Sequence, residues 1–392
     1  MDIQNFSALF NTPARCEAFL KLIKDNKTKH IFIQGLEGSS IALFFSNLLE
    51  HKQAHIIIAN DLDEAGYLYN DLVQINGNDH ILLFPSGYKR DIKYGQPDPP
   101  SEILRTEVLN RLCQKGESLL IVTYPEAIAE KVVPVNMLSE QTLHIDKNSK
   151  CDIITLSDKL RERGFEEVDY VYEPGQFAVR GSILDVFSYT NELPYRIDFF
   201  GKEVESIRTF EVETQLSTGK LEEVYIVANV CGQEVSGISI LDFIDKNTIL
   251  ICHNLSWVID RISTIASESL SEQTLIAEEG DRYAMQKIID VTAFQKKITT
   301  FRRIDYGASS EANAPAVIRF NCAPQGVYHK NFDLVSQSFS QFIEKGYTLY
   351  ILSDSEKQIE RLQAIFEERG DSISFTPVLN CLLYTSPSPR DS

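Results

Sequence analysis

With 392 residues, 43% apolar content and 56 acidic against 38 basic side chains, the chain carries a net charge of −18. That length exceeds one ordinary hydrophobic core and implies about two or three domains, and the charge repels a phosphate backbone, which argues against general nucleic-acid binding by the whole surface. No run of about 18 apolar residues occurs, so no membrane partner is expected, and the start MDIQNFSALF lacks a signal peptide's basic and apolar regions; a cytoplasmic location is expected.

Residues 1–139 alternate short β-branched runs with helical patterns: HIFIQ at 30–34, HIIIAN at 55–60, ILLF at 81–84 and LLIVT at 119–123. Strands separated by helices predict a mostly parallel sheet covered on both faces. One helix is expected to open at Ser101 as N-cap behind Pro99 and Pro100, with Leu104, Val108 and Leu112 as its buried stripe. His51 and His55 sit four apart, but HKQAH has Lys where a zinc-protease helix needs Glu and runs directly into a strand, so no metal site is expected. The seven cysteines are an odd, scattered set without a C-x-x-C pair and read as reduced thiols.

Between the first strand and the next helix lies Gly35-Leu36-Glu37-Gly38-Ser39-Ser40-Ile41-Ala42. A working phosphate loop is G-x-x-x-x-G-K-[ST], in which backbone N–H groups wrap the phosphates, Lys neutralises them and the hydroxyl holds magnesium. With Gly35 at the first glycine, Ser40 falls at the second, Ile41 at the lysine and Ala42 at the hydroxyl. The segment reads either as a degenerate phosphate loop or as a generic βα turn in which Gly35 and Gly38 serve tight packing; both readings deny ATP. The later strand TILICHN places His253 and Asn254 where a motor carries an Asp-Glu pair.

Residues 140–217 read as an inserted small α+β domain, with one helix (Ser157 cap, Leu156 and Leu160 inward, Gly164 as stop) before closely spaced strands. Alternation along Tyr195-Arg196-Ile197-Asp198-Phe199-Phe200 turns Tyr195, Ile197 and Phe199 to the core and leaves Phe200 on the polar side with Arg196. The same counting sends Phe177 and Val179 inward and Arg180 outward. An exposed aromatic beside arginines has the composition of an interface hot spot; the alternative is that the arginines pair with neighbours such as Asp198 or Glu203 and Phe200 packs under a loop. Between residues 151 and 217 there are 14 acidic and 7 basic side chains, so a protein partner suits these arginines better than DNA.

From 218 to 330 the α/β pattern is expected to resume with VYIVANV, NTILICHN and a helix from Trp257, completing the first module. Residues 331–380 begin a further small α/β unit: a helix over 331–345, the strand YTLYILS, and a helix opened by a Ser355–Gln358 capping box, with Ile359, Leu362 and Phe366 on one face and Gly370 as its stop. That unit is expected to be incomplete at one strand and two helices, and CLLYTSPSPRDS at 381–392 reads as a non-native tail.

Three segments, GYKRDIKYGQPDPPSEILRTEVLNRL, VYEPGQFAVRGSILDVF with ELPYRIDFFGKEVESIRTF, and APQGVYHKNFDL, resemble the N-terminal region of the bacterial transcription-repair coupling factors, itself similar to the DNA-damage protein UvrB. The resemblance implies a degenerate RecA-like, UvrB-like parallel-sheet α/β domain with an inserted small α+β domain and the start of a further α/β unit. It implies UvrA as partner, contacted through Arg180, Arg196 and Phe200, in recruitment of repair to stalled RNA polymerase, with no cofactor in this part. ATP and magnesium belong to the family's translocase, and RNA polymerase and DNA to its further domains, which are absent from this sequence. UvrB itself is the alternative, a damage-recognition protein binding DNA with nucleotide. Against it stand Ile41 at the loop lysine and the span of about 15 residues between Ser86 and Ser101, with Tyr88 and Tyr94, where UvrB inserts a long tyrosine-rich hairpin.

Overall fold

The computed structural model describes residues 1–11, 13–25, 27–87, 98–114, 116–147, 149–191, 193–228, 237–275, 288–307, 316–326, 328 and 331–383. Tyr88, Tyr94 and Cys231 lie outside them. In chain order the strands are β1 (His30–Gln34), β2 (Ala54–Ile58), β3 (Ile81–Leu83), β4 (Leu119–Thr123), β5 (Thr142–Asp146), β6 (Glu166–Glu167), β7 (Gln176–Arg180), β8 (Ile183–Val186), β9 (Tyr195–Phe200), β10 (Glu203–Phe210), β11 (Ser217–Leu221), β12 (Glu223–Val227), β13 (Ile249–Cys252), β14 (Arg302–Gly307), β15 (Ala316–Arg319), β16 (Tyr350–Ser353) and β17 (Thr376–Leu379).

The large sheet has the order β15-β1-β14-β13-β2-β4-β3 with parallel pairing throughout. β1, β2, β4 and β13 are built from near-continuous buried Ile, Leu and Val, the pattern of strands covered on both faces. The helix Leu62–Asn76 buries Ala65, Leu68, Leu72 and Ile75 and packs on β3 and β4; Asp61 caps it by accepting from the Glu64 N–H. Two strands of this sheet, β14 and β15, do not read as strands in the sequence. β14 carries Arg302, Arg303 and Asp305 in the middle of the sheet, and each meets polar partners there, most of them distant in sequence. Arg302 donates to the carbonyls of Leu22, Ile23, Asp25 and Thr28, and Asp305 accepts from Arg303 and lies 2.6 Å from His30.

The helix expected from Ser101 instead spans Pro99–Cys113, with Asp98 at its N-cap and the Ser101 hydroxyl bonded to the Asp98 carboxylate at 2.6 Å. Its buried residues are Arg105, Thr106, Val108 and Leu109, while Leu104 and Leu112 are only half-buried. Arg105 goes inside because it is matched there: it pairs with Glu130 at 3.2 Å, donates to the Pro85 and Ala127 carbonyls and stacks over Phe84.

His55 is fully enclosed on β2, and burial, reinforced by the neighbouring His51, pushes its pKa down to about 3. The unfolded chain binds this proton near pH 6.5 and the folded chain does not. Stability is therefore full above pH 6.5 and falls as pH drops toward 3, by up to about 1.4 kcal/mol per pH unit. His55→Leu is expected to flatten that acid limb in denaturant unfolding followed from pH 7 to pH 4; an unchanged slope overturns the assignment.

The second sheet, order β11-β10-β9-β8-β7-β6, is antiparallel except for the β6–β7 pair. Its inner face buries Phe177, Leu184, Val186, Ile197, Phe199 and Ile207 against Leu156 and Leu160 of the helix Ile153–Glu162. Asp152 caps that helix through the Thr155 N–H, while Ser157 lies inside it and bonds back to the Ile153 carbonyl, so the expected Ser157 cap is corrected. Gly164 follows with φ +81°, the left-handed stop that glycine supplies. β11 runs to Leu221, past the expected boundary at 217, and β12 does not rejoin the large sheet. It pairs antiparallel with β5, and Val224 and Ile226 close the insert's core.

The last unit holds two helices, Phe332–Glu344 and Glu356–Glu368, and two parallel strands, β16 and β17, one strand more than expected. Pro377 hides β17 in the sequence, since proline lacks the ladder donor. The Ser355 side chain makes no cap hydrogen bond; the Ser353 hydroxyl instead accepts from the Ser355 N–H and pairs with Gln358. Among the described residues no helix is long and apolar enough to cross a membrane.

Candidate docking face

The outer face of the insert's sheet is set by register. Ala178, Asp185, Arg196 and Arg208 lie in one cross-strand row on β7, β8, β9 and β10, and Arg180, Ile183, Asp198 and Ser206 lie in the next. Tyr195, Ile197 and Phe199 are buried as alternation requires, and Phe200, at the end of β9, is 77% exposed.

Arg180 and Arg196 are brought together by a residue the sequence reading did not single out. Asp185, whose side chain is 1% exposed, accepts from Arg196 Nε at 2.7 Å and Nη2 at 2.8 Å and from Arg180 Nη2. The arginines therefore pair with Asp185, not with Asp198 or Glu203. Asp198 instead takes Arg208 and, at 2.7 Å, the Ser206 hydroxyl. Arg196 is nearly submerged at 14% side-chain exposure. Its Nη1 donates to the Gln215 carbonyl at 3.0 Å and its guanidinium stacks 4.4 Å from the Phe210 ring. The bond to Asp185 holds the Arg196 pKa above the usual arginine range. Arg180 is a third exposed and stacks 4.9 Å from the ring of Tyr170, itself half-exposed. Within this cluster one carboxylate meets two guanidiniums, while Asp198 balances Arg208 and the exposed Glu203 lies opposite Phe200 on β10.

The phosphate-loop segment is organised by its own chain. Gly35 (φ +80°) donates to the Gly307 carbonyl at 3.0 Å and accepts from the Cys322 N–H, and a Cβ on Gly35 would lie 2.1 Å from the Phe320 carbonyl oxygen. The Glu37 N–H is taken by the Ser40 hydroxyl, and the Ser40 and Ile41 N–H groups by the Glu37 and Gly38 carbonyls. Ile41, at the lysine position, and Ala42, at the hydroxyl position, are buried in the main core. At the neighbouring strand ends, His253 stacks on Tyr306 and receives Asn60 Nδ2 at 2.8 Å, and Asn254 caps the following helix through the Trp257 N–H. Among the described residues no cluster of three or more His, Cys, Asp or Glu side chains is placed to hold a metal ion.

Residues 143–249, which carry this face, match the family model described as the UvrB interaction domain. That segment is thus similar to a UvrB interaction domain and sits within a larger fold built on a parallel α/β sheet. Over most of its length the chain is similar to curated transcription-repair-coupling factors, as its sequence motifs imply. It is 20% identical over 406 residues to that of Staphylococcus epidermidis RP62A, covering 87% of this chain and 34% of the relative. It is 22% identical over 400 residues to that of Staphylococcus aureus MRSA252, with 86% and 34% covered. The chain spans about a third of the length of these relatives.

Proposed function

We propose that this chain is a non-enzymatic adaptor of transcription-coupled nucleotide excision repair, whose outer sheet face binds UvrA and brings it to stalled RNA polymerase. The observation that carries the reading is Phe200, a large apolar side chain exposed on the sheet of the matched interaction domain beside the Arg180–Asp185–Arg196 cluster. An aromatic anchor flanked by partly desolvated arginines is the composition of a protein hot spot. ATP hydrolysis and DNA translocation belong, in this reading, to parts of the relatives that this chain does not span. The packing of Ile41 into the core supports a scaffolding role for the loop.

Phe200→Ala is expected to weaken UvrA binding about 30-fold, on the order of 2 kcal/mol, while changing stability by less than about 0.5 kcal/mol because the ring is exposed. Titration of purified UvrA against the parent and variant chains measures this. Equal affinities overturn the assignment of this face, and ATP binding by the parent chain favours a nucleotide-dependent, UvrB-type reading instead.

A further inference from the structure

The three residues read from sequence do not do the same work. Arg196 spends Nε, Nη1 and Nη2 inside the protein and is nearly covered, so it has little to offer a partner. Arg180 is placed differently. One end is tied to Asp185, the face of its guanidinium lies against Tyr170, and a third of its side chain stays in solvent. By register, Arg180 on β7 and Asp198 on β9 both flank Ile183, and Phe200 follows two residues further along β9. Two strand spacings across the sheet and a two-residue step along β9, about 12 Å in all, separate the arginine from the aromatic, within reach of one partner surface.

Resting on the docking assignment above, we infer that Asp185 and Tyr170 are positioning residues that hold Arg180 ready for a partner carboxylate while Phe200 fills an adjoining apolar socket. The carboxylate fixes which edge of the guanidinium turns inward. The tyrosine ring, itself 50% exposed, restricts the rest and extends the contact surface. A long arginine side chain otherwise loses rotamer entropy on binding, and holding it in place beforehand removes that cost. The partner chemistry follows: an acidic side chain bordering an apolar pocket, on UvrA.

The test is UvrA titration by the full chain and its Phe200→Ala, Arg180→Ala, Asp185→Asn and Tyr170→Leu variants, each also combined with Arg180→Ala, with folding checked by hydrogen exchange across β7–β10. Asp185→Asn is expected to weaken binding about tenfold and Tyr170→Leu about fivefold, and both losses should vanish in the Arg180→Ala background. A purely structural role would add in that background. Where Asp185→Asn does not fold, Tyr170→Leu, a change at a half-exposed side chain, decides alone. If Arg180→Ala and Phe200→Ala weaken binding while Asp185→Asn and Tyr170→Leu do not, or if the effects add, the positioning assignment is overturned and the docking reading stands. A parent chain that does not bind UvrA overturns both.

Discussion

Arg196→Ala is expected to destabilise the insert by about 3–5 kcal/mol, the cost of stripping one partner from a buried ion pair. The carboxylate left behind, Asp185, is 1% exposed and would lose a bidentate donor pair at 2.7 and 2.8 Å, keeping only Arg180. The Gln215 carbonyl would lose its guanidinium donor and Phe210 its stacked cation. Arg180→Ala at the same carboxylate should cost only about 1 kcal/mol, because its side chain is a third exposed and Asp185 keeps the stronger pair. Arg196→Lys keeps the charge but lacks the planar fork, and should fall between them. Hydrogen exchange of β8–β10 amides reads this directly and separates the insert from the large sheet, which a single unfolding midpoint would not. Protection unchanged in Arg196→Ala overturns the account. On the proposed docking reading, weaker UvrA capture by an Arg196→Ala variant would therefore report on folding, whereas Phe200→Ala, a change at an exposed side chain, reports on the face itself.

The parts of this fold legible in the sequence are those whose local pattern decides their place. β1, β2, β4 and β13 are apolar and β-branched, a composition that fits only a strand buried on both faces. On β9, period-two alternation alone put Phe200 outside, and its 77% exposure agrees. The parts not legible depend on long-range partners. β14 looks like a charged loop until the carbonyls near Leu22–Thr28 and the ring of His30 are brought to Arg302, Arg303 and Asp305. Arg105 looks like a surface arginine until Glu130 meets it from 25 residues away. Asp185 escaped for the same reason: alternation says which face a residue takes, but which residue it meets across the sheet depends on register, here Asp185 opposite Arg196. Burial of Ala178, Phe187 and Phe210 in a small cluster with Val171 likewise depends on flanking segments covering part of the outer face.

Gly35→Ala should cost on the order of 3 kcal/mol or more, the largest effect expected of any described glycine in the large-sheet domain. Two penalties add there. At φ +80° an alanine is strained by about 1 kcal/mol, and its Cβ would lie 2.1 Å from the Phe320 carbonyl oxygen, a backbone atom that cannot swing aside. Phe320 is itself held: its N–H donates to Gln34 at 2.7 Å, and its ring packs against Phe10 and Phe44. Gly164→Ala is the control, with a nearly equal φ of +81° and nothing within 4 Å of the added carbon, so it isolates the strain and should cost about 1 kcal/mol. Hydrogen exchange read in each variant's own part of the fold, β1 and β14 for Gly35→Ala and the helix Ile153–Glu162 for Gly164→Ala, measures the difference. In a phosphate loop the first glycine opens space for a ligand, but here the space it opens is occupied by the chain's own strand-end segment at Phe320. A Gly35→Ala variant as stable as Gly164→Ala would mean that this contact is loose, and would remove the physical ground for treating the turn as a packing element.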